Sequence, residues 1–209
     1  MDITFIFFLG FFIALIGVVP PGLLNMTAAK VSLKEGHVRG IMFSIGTCLI
    51  VLVQTYLATI FARYLSMHLE VVEILKRAAL VIFILITVYF LFIAKSKPQQ
   101  QVEPQVRSKH SRFFQGMLLS SLNVFPIPYQ AYMTITLATY GWMAFDQISI
   151  VSYVVGAVMG TFVMLYMYIF FFDKIKSKTF TSQKNMNRII GGITGVISVI
   201  TFINIIKDL

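Results

Sequence analysis

The chain has 209 residues, of which 58% are hydrophobic and 12% charged, and its mean hydropathy is +0.85. A soluble domain carries about 25% charged residues, so these figures exclude a soluble enzyme or regulator and point to an integral membrane protein. The formal net charge of +9 raises nucleic acid as a partner. However, the basic residues cluster between apolar segments, where they set membrane orientation, and no nucleic-acid role is expected.

A spanning helix needs about 20 mainly apolar residues, and six windows qualify: residues 3–24, 40–62, 74–94, 113–140, 148–172 and 186–206. The first follows Met1-Asp2 without a basic leader, and no small-x-small cleavage site comes after it. It is expected to remain a span and not to be removed as a signal peptide. Gly10, Ala14, Gly17 and Pro21 fall in one narrow arc, the kind of small-residue stripe along which helix backbones approach closely. Near its end stand Pro20, Pro21 and Gly22. Proline lacks the amide hydrogen and clashes with the preceding turn, so the helix should break there and strip carbonyls and amides of their partners. In hydrocarbon such groups are tolerated only against protein or a wet cavity.

The second window carries Ser44, Thr47, Gln54, Thr55 and Thr59 on one side, and the only cysteine, Cys48, which excludes an internal disulfide or a CxxC centre. The third contains the unbroken apolar run 80–86, whose lack of alternation excludes a membrane β-strand. The stretch 95–112 is polar, Gln-rich and carries Pro98 and Pro104, and reads as a flexible cytoplasmic linker. It separates a first three-helix block, 1–94, from a second, 113–209. Three is odd, so the second block must enter the membrane from the opposite side, which makes any repeat an inverted one.

The fourth window breaks at Asn123, Pro126 and Pro128, with Gln130 and Thr134 following. About eleven residues precede this break, roughly 16 Å of helix, which places it near mid-bilayer. The first break comes after about 17 residues, near 25 Å, and so lies closer to one face. Interruptions at corresponding places in two blocks are a pointer to a transporter's binding site. The fifth window holds Gly156 and Gly160, extended by Ser152, and the sixth Gly191 and Gly195 beside Thr194, Ser198 and Thr201. These stripes serve packing within the bundle or between protomers, so a homo-oligomer stays open. Tyr140, Trp142 and Tyr153 near one end of span five, and residues 166–172 near the other, read as aromatic belts. Arg77 and Arg188 open spans three and six, where snorkelling to the interface accounts for them. All Lys and Arg except Arg63, Lys76, Arg77 and Lys207 lie on the side of the first, third and fifth connections. The positive-inside bias makes that side cytoplasmic and puts both termini outside.

The acidic residues and histidines fall in connections or at membrane edges. No carboxylate or imidazole is expected at depth to hold a metal cation. Neither is a Ser-His pair or carboxylate dyad for hydrolysis. The chain therefore reads as a non-enzyme without a metal or cofactor. Asp146 and Asp173, at the ends of span five, are the nearest groups to a proton carrier, but plain membrane-edge charges are the better account of them. What remains is neutral polarity around the breaks, which suits a small zwitterion. Helix N-termini would hold its carboxylate, while freed carbonyls and C-terminal ends would face its ammonium. The expected substrate-binding residues are Pro20, Pro21, Gly22, Asn25, Gln54, Asn123, Pro126, Pro128 and Gln130. The competing account has hydroxyls bonded to their own backbones and amides joining helices.

These residues resemble a known family. Pro21-Gly22, Gly36-His37-Val38-Arg39-Gly40 about fifteen residues later, Phe114-Gln115-Gly116 leading to Ser121-Leu122-Asn123, and Asn187-Arg188-Ile189-Ile190-Gly191-Gly192 are similar to motifs of the lysine exporter (LysE) superfamily, in particular its threonine/homoserine exporter-like (RhtB) branch. The resemblance implies six transmembrane helices with the first and fourth broken. It also implies gradient-driven efflux of amino acids or related metabolites, coupled to protons or another ion, across a bacterial inner membrane. Three positions depart from the pattern. Leu23 replaces the second proline of Pro-Gly-Pro, Val124 the proline after Asn123, and Phe125 a common lysine. The last change removes a mid-membrane charge and leaves the substrate unassigned. The rival is a membrane scaffold or assembly subunit that transports nothing; a metal-ion exporter is disfavoured by the missing ligands.

Overall fold

The computed structural model describes residues 2–20, 22–93 and 108–175, together with 192, 195, 198, 199, 202, 203 and 206 of the last segment. All regular structure among them is helical. The elements are α1 (Ile3–Val18), α2 (Leu23–Glu35), α3 (His37–Met67), α4 (Leu69–Val88) running into a π-helical turn (Tyr89–Ile93), α5 (Lys109–Leu122), α6 (Pro126–Thr139) and α7 (Gln147–Ile175). α3, and α7 over residues Gln147–Phe171, are each long and apolar enough to cross a membrane, and α1 with α2 makes a third candidate, bent by 78°.

The first and fourth windows thus resolve into two helices each. α1 starts where the Asp2 carboxylate accepts a hydrogen bond from the Thr4 amide at 2.9 Å. It ends at Val18, just ahead of Pro20, which has no amide hydrogen to continue the ladder; Val19 itself keeps helical backbone. α2 then continues well past the expected end of the first span. Lys30 and Lys34, expected in a connection, lie on its surface, and only Gly36 separates α2 from α3. Gly36 has φ 94°, in the left-handed region where a β-carbon is strained. α5 begins at Lys109 behind a Ser108 cap, whose hydroxyl accepts from the Ser111 amide at 3.1 Å. α6 begins with Pro126 in its first turn, where the missing amide hydrogen costs nothing.

Two compact units form, each drawing on both halves of the chain: residues 1–66 with 104–175, and 67–103 with 176–209. In the first, two helix pairs cross through glycine. A β-carbon on Gly10 of α1 would lie 2.2 Å from the Tyr153 carbonyl oxygen of α7, and one on Gly156 would lie 2.0 Å from that of Phe7. The second pair repeats the pattern with the halves exchanged. A β-carbon on Gly46 of α3 would sit 2.1 Å from the Phe113 oxygen of α5, and one on Gly116 would sit 2.0 Å from that of Phe43. With lipid as apolar as leucine, such close backbone packing is what holds helices together. Apolar clusters fill the space around the crossings, one of Ile6, Leu137, Met143, Ile150, Tyr153 and Val154, another of Leu24, Ala28, Phe43, Cys48, Leu165 and Ile169. Phe8, Phe12, Leu49, Leu57 and Val155 point outward, as a lipid-facing surface requires. In the second unit, a β-carbon on Gly195 would meet the Thr87 methyl of α4 at an ordinary 3.5 Å. Gly191, Thr194 and Thr201 lie outside the described residues.

Candidate functional site

At the first break the carbonyls released by α1 are not left bare. The buried Asn25 side chain folds back from α2 and donates to the carbonyls of Val18 at 2.6 Å and Pro20 at 3.0 Å. The Tyr168 hydroxyl of α7 donates to the Val19 carbonyl between them at 2.7 Å. At the second break Gln54 of α3 does the same work. Its amide nitrogen donates to the carbonyls of Ser120 at 3.1 Å and Asn123 at 2.9 Å. The expectation of unsatisfied carbonyls at both breaks is therefore corrected. A buried carbonyl without a donor is costly, and here side chains reach those of Val18, Val19, Pro20, Ser120 and Asn123.

The amide ends differ. Gly22 precedes α2 in an extended conformation and Phe125 precedes α6, and neither offers a side-chain cap. The first break thus has a filled carbonyl end and, at the start of α2, an amide end without a side-chain cap, where the helix dipole favours negative charge. α6 offers no such end, because Pro126 and Pro128 have no amide hydrogen and the Ile127 amide donates to the Val124 carbonyl at 3.2 Å.

Tyr129 joins the two breaks. It stands one turn after the second, where Phe125 stacks on its ring at 6.0 Å. The ring covers Gly17, whose β-carbon would lie 2.7 Å from it, and the hydroxyl donates to the Ile13 carbonyl of α1 at 2.9 Å. A side chain at position 17 would have to displace the ring. Next to Tyr129, the buried Gln130 accepts from the Tyr153 hydroxyl at 2.6 Å through its side-chain oxygen.

The expected site residues fall into three groups. Asn25, Gln54 and Gln130 are buried and bonded at or beside the breaks, and Asn123 contributes its carbonyl. Pro20, Gly22 and Pro128 shape the backbone from exposed positions and Pro126 from a half-buried one. Pro21 lies outside the described residues. Ser44, Thr47, Thr59 and Thr134 bond to carbonyls of their own helices. Two atoms do not fit that account. The Gln54 side-chain oxygen and the Thr55 hydroxyl are buried and meet no hydrogen-bond partner.

Three features were missed or misread in the sequence. Tyr153 is fully buried and Tyr168 nearly so, and they are bonding groups of the site, not members of an aromatic belt. Their spacing could have shown this, since Tyr153 precedes Gly156 by three residues on the face that meets α1. Glu35 and Arg112, counted as charges of connections, form a buried ion pair between α2 and α5. The Arg112 Nε donates to Glu35 at 2.8 Å, and a second nitrogen bonds the Gln115 side-chain oxygen. The face of α2 carrying Leu24, Ala28, Val31 and Glu35, and that of α5 carrying Arg112, Gly116 and Ser120, recur at helical spacing and mark both charges as inward. At this end Ser32 also reaches the Ile169 carbonyl of α7 at 3.3 Å, and His37 stacks on Phe170 at 4.4 Å. Asp146, by contrast, caps α7. Its carboxylate accepts from the Ser149 hydroxyl at 2.6 Å and amide at 3.1 Å, and these bonds hold its pKa below the ordinary value. The side chain of Asp173 lies outside the described residues.

Compared with known families, residues 15–204 match the LysE type translocator model. No curated protein and no solved structure matches the chain.

Proposed function

This chain belongs to the LysE type translocator family, whose members are transporters and not enzymes and move small molecules across a lipid bilayer, and on that premise we propose that it exports amino acids or related zwitterions by alternating access. The observation that carries this reading is the meeting of the two helix interruptions across Tyr129, with filled carbonyl ends and an uncapped amide end at α2. The uncapped N-terminus of α2 beside a dense set of neutral amides and hydroxyls is suited to the carboxylate of a zwitterion, which carries no net charge into the membrane. The substrate-binding set we propose is Pro20, Pro21, Gly22, Asn25, Gln54, Asn123, Pro126, Pro128 and Gln130, to which we add Tyr129, Tyr153 and Tyr168 for their bonds at the breaks.

The architecture we assign is six spans in two inverted three-helix repeats, 1–94 and 113–209, joined by a cytoplasmic linker over 95–112, with both termini outside. The reciprocal crossings support it: α1 lies on α7 through Gly10 and Gly156 as α5 lies on α3 through Gly116 and Gly46. Gly10 precedes Pro20 by the same ten residues that separate Gly116 from Pro126. Membership of the RhtB branch, the bacterial inner membrane and coupling to a proton or ion gradient belong to the same proposal. Everted vesicles containing the protein should accumulate isotopically labelled substrate from a broad amino-acid panel when a gradient is imposed. A flat response across the panel removes the amino-acid assignment.

The filled carbonyl ends also favour a second reading, a scaffold whose breaks are packed kinks. Cysteine placed at Asn25 or Gln130 in a Cys48→Ser background separates the two. Labelling by a water-soluble thiol reagent, blocked by substrate, supports the carrier. Complete inaccessibility supports the scaffold.

A further inference from the structure

We infer that Gln54 and Thr55 form the acceptor subsite that reads a positively charged N–H donor, a primary ammonium group, on the transported molecule. The inference rests on the transport reading and adds which protein atoms face which end of the substrate.

The orientation of the Gln54 amide is fixed by its surroundings. Its nitrogen donates to two carbonyls of the second break, Ser120 and Asn123. Turning the amide over would set its oxygen against both carbonyl oxygens, so the nitrogen is held there and the oxygen must point elsewhere. That oxygen is buried and meets no partner, in a residue only 6% exposed. The adjoining Thr55 hydroxyl is in the same position in a residue that is 0% exposed. The other threonines of this face, Thr47 and Thr59, turn their hydroxyls to carbonyls one turn back, and Thr55 does not. Buried polar atoms without partners are rare in folded proteins, and each implies a bonding group that the chain itself does not supply.

The chemistry of that group follows from what is already occupied. Carbonyls of the breaks were the expected seat for an ammonium, but those of Val18, Val19, Pro20, Ser120 and Asn123 each accept a side-chain hydrogen bond. The buried side-chain acceptors left without a partner, among the described residues, are the oxygens of Gln54 and Thr55. The Gln54 oxygen can only accept, so it selects a donor over a carboxylate, and the Thr55 hydroxyl can accept beside it. The uncapped amide end of α2 takes the opposite charge. A ligand that bonds Gln54 also bears on a side chain pinned to the second break, so its arrival and departure act on the backbone where α5 gives way to α6.

The test uses the detergent-solubilised full chain and matched probes, L-alanine against propionate and L-leucine against 4-methylpentanoate, each pair differing only in the ammonium group. Wild type should bind the amino acid at least about 10-fold more tightly than its deaminated partner, because a site built around a donor rejects a ligand without one. In Gln54→Met this preference should vanish. In Thr55→Val it should fall several-fold while the melting temperature stays level or rises, because removing a buried hydroxyl that has no protein partner relieves the fold. Full preference retained in both variants overturns the inference. A second probe, propylammonium alone, keeps the two hypotheses apart. If wild type binds no amino acid, yet propylammonium stabilises it and not the variants, the acceptor subsite stands and the amino-acid assignment falls. If propylammonium and the amino acids all leave wild type unchanged, an ordered water is all these atoms bind and the inference is refuted.

Discussion

Replacing Gly116 by alanine should loosen the protein. A β-carbon there would sit 2.0 Å from the Phe43 carbonyl oxygen, 3.0 Å from its carbon and 3.1 Å from the Thr47 amide nitrogen. A carbon and a carbonyl oxygen settle at about 3.3 Å, so α5 and α3 must part by roughly 1.3 Å. All three obstacles are main chain, so no rotamer change relieves the clash. Overpacking of this kind costs about 3 kcal/mol at the upper end of its usual range. Alanine returns roughly 1 kcal/mol of helix propensity, which leaves a net loss near 2 kcal/mol. For a chain of this length that corresponds to a melting temperature about 4–8 °C lower. Fluorescence-monitored unfolding in detergent measures it, with Gly156→Ala, 2.0 Å from the Phe7 oxygen, as a parallel case. Gly192→Ala is the control, since nothing lies within 4 Å of that position. A Gly116→Ala protein that melts at or above wild type would show that the α3–α5 crossing is not set by this contact.

Glu35→Gln strands the Arg112 guanidinium and should cost about 3–5 kcal/mol, whereas the apolar double variant Glu35→Leu/Arg112→Met should recover most of it; a thermal double-mutant cycle reads both. Asn25→Ala withdraws the donor from the Val18 and Pro20 carbonyls and should destabilise by about 1–3 kcal/mol, visible in the same unfolding assay. The Asp146 carboxyl is held below its ordinary pKa of 3.8, first by the Ser149 hydroxyl and then by the Ser149 amide. A pKa lowered on folding adds stability that is complete above about pH 4 and lost as the pH falls through the folded value. A spin label at the exposed Ile148 should therefore gain mobility on acidification in wild type and much less in Asp146→Asn.

Apolar length and proline position made the helices and both interruptions legible, because each follows from local chemistry alone. The reach of α2 was not legible in that way. Lys30 and Lys34 have the composition of a connection, yet long basic side chains can extend from a helix surface while their stems lie on apolar neighbours. Tyr153 and Tyr168 were misread because aromatic residues near the ends of a span suit an interface, and only the helices beside them decide whether the hydroxyl finds water or a carbonyl. The partners of the break carbonyls were hidden for a related reason. Gln54 lies 66 residues from Ser120 and Tyr168 lies 149 from Val19, so neither pairing leaves a local pattern. Glu35 and Arg112 could have been found by helical spacing, but only once α2 and α5 were known to extend that far.

The two extremities of the first unit are sealed by different materials. One, around Ile6, Leu137, Met143 and Ile150, is hydrocarbon; the other, near Ile169, is bolted by Glu35 and Arg112. Parting the first means wetting oily surface, which added sulfate or sucrose should resist. Parting the second means hydrating two ions, whose penalty for leaving water shrinks on warming. In the alternating-access cycle proposed above, inward and outward opening would then answer to separate experimental knobs, and a solute that stalls one half-cycle need not touch the other.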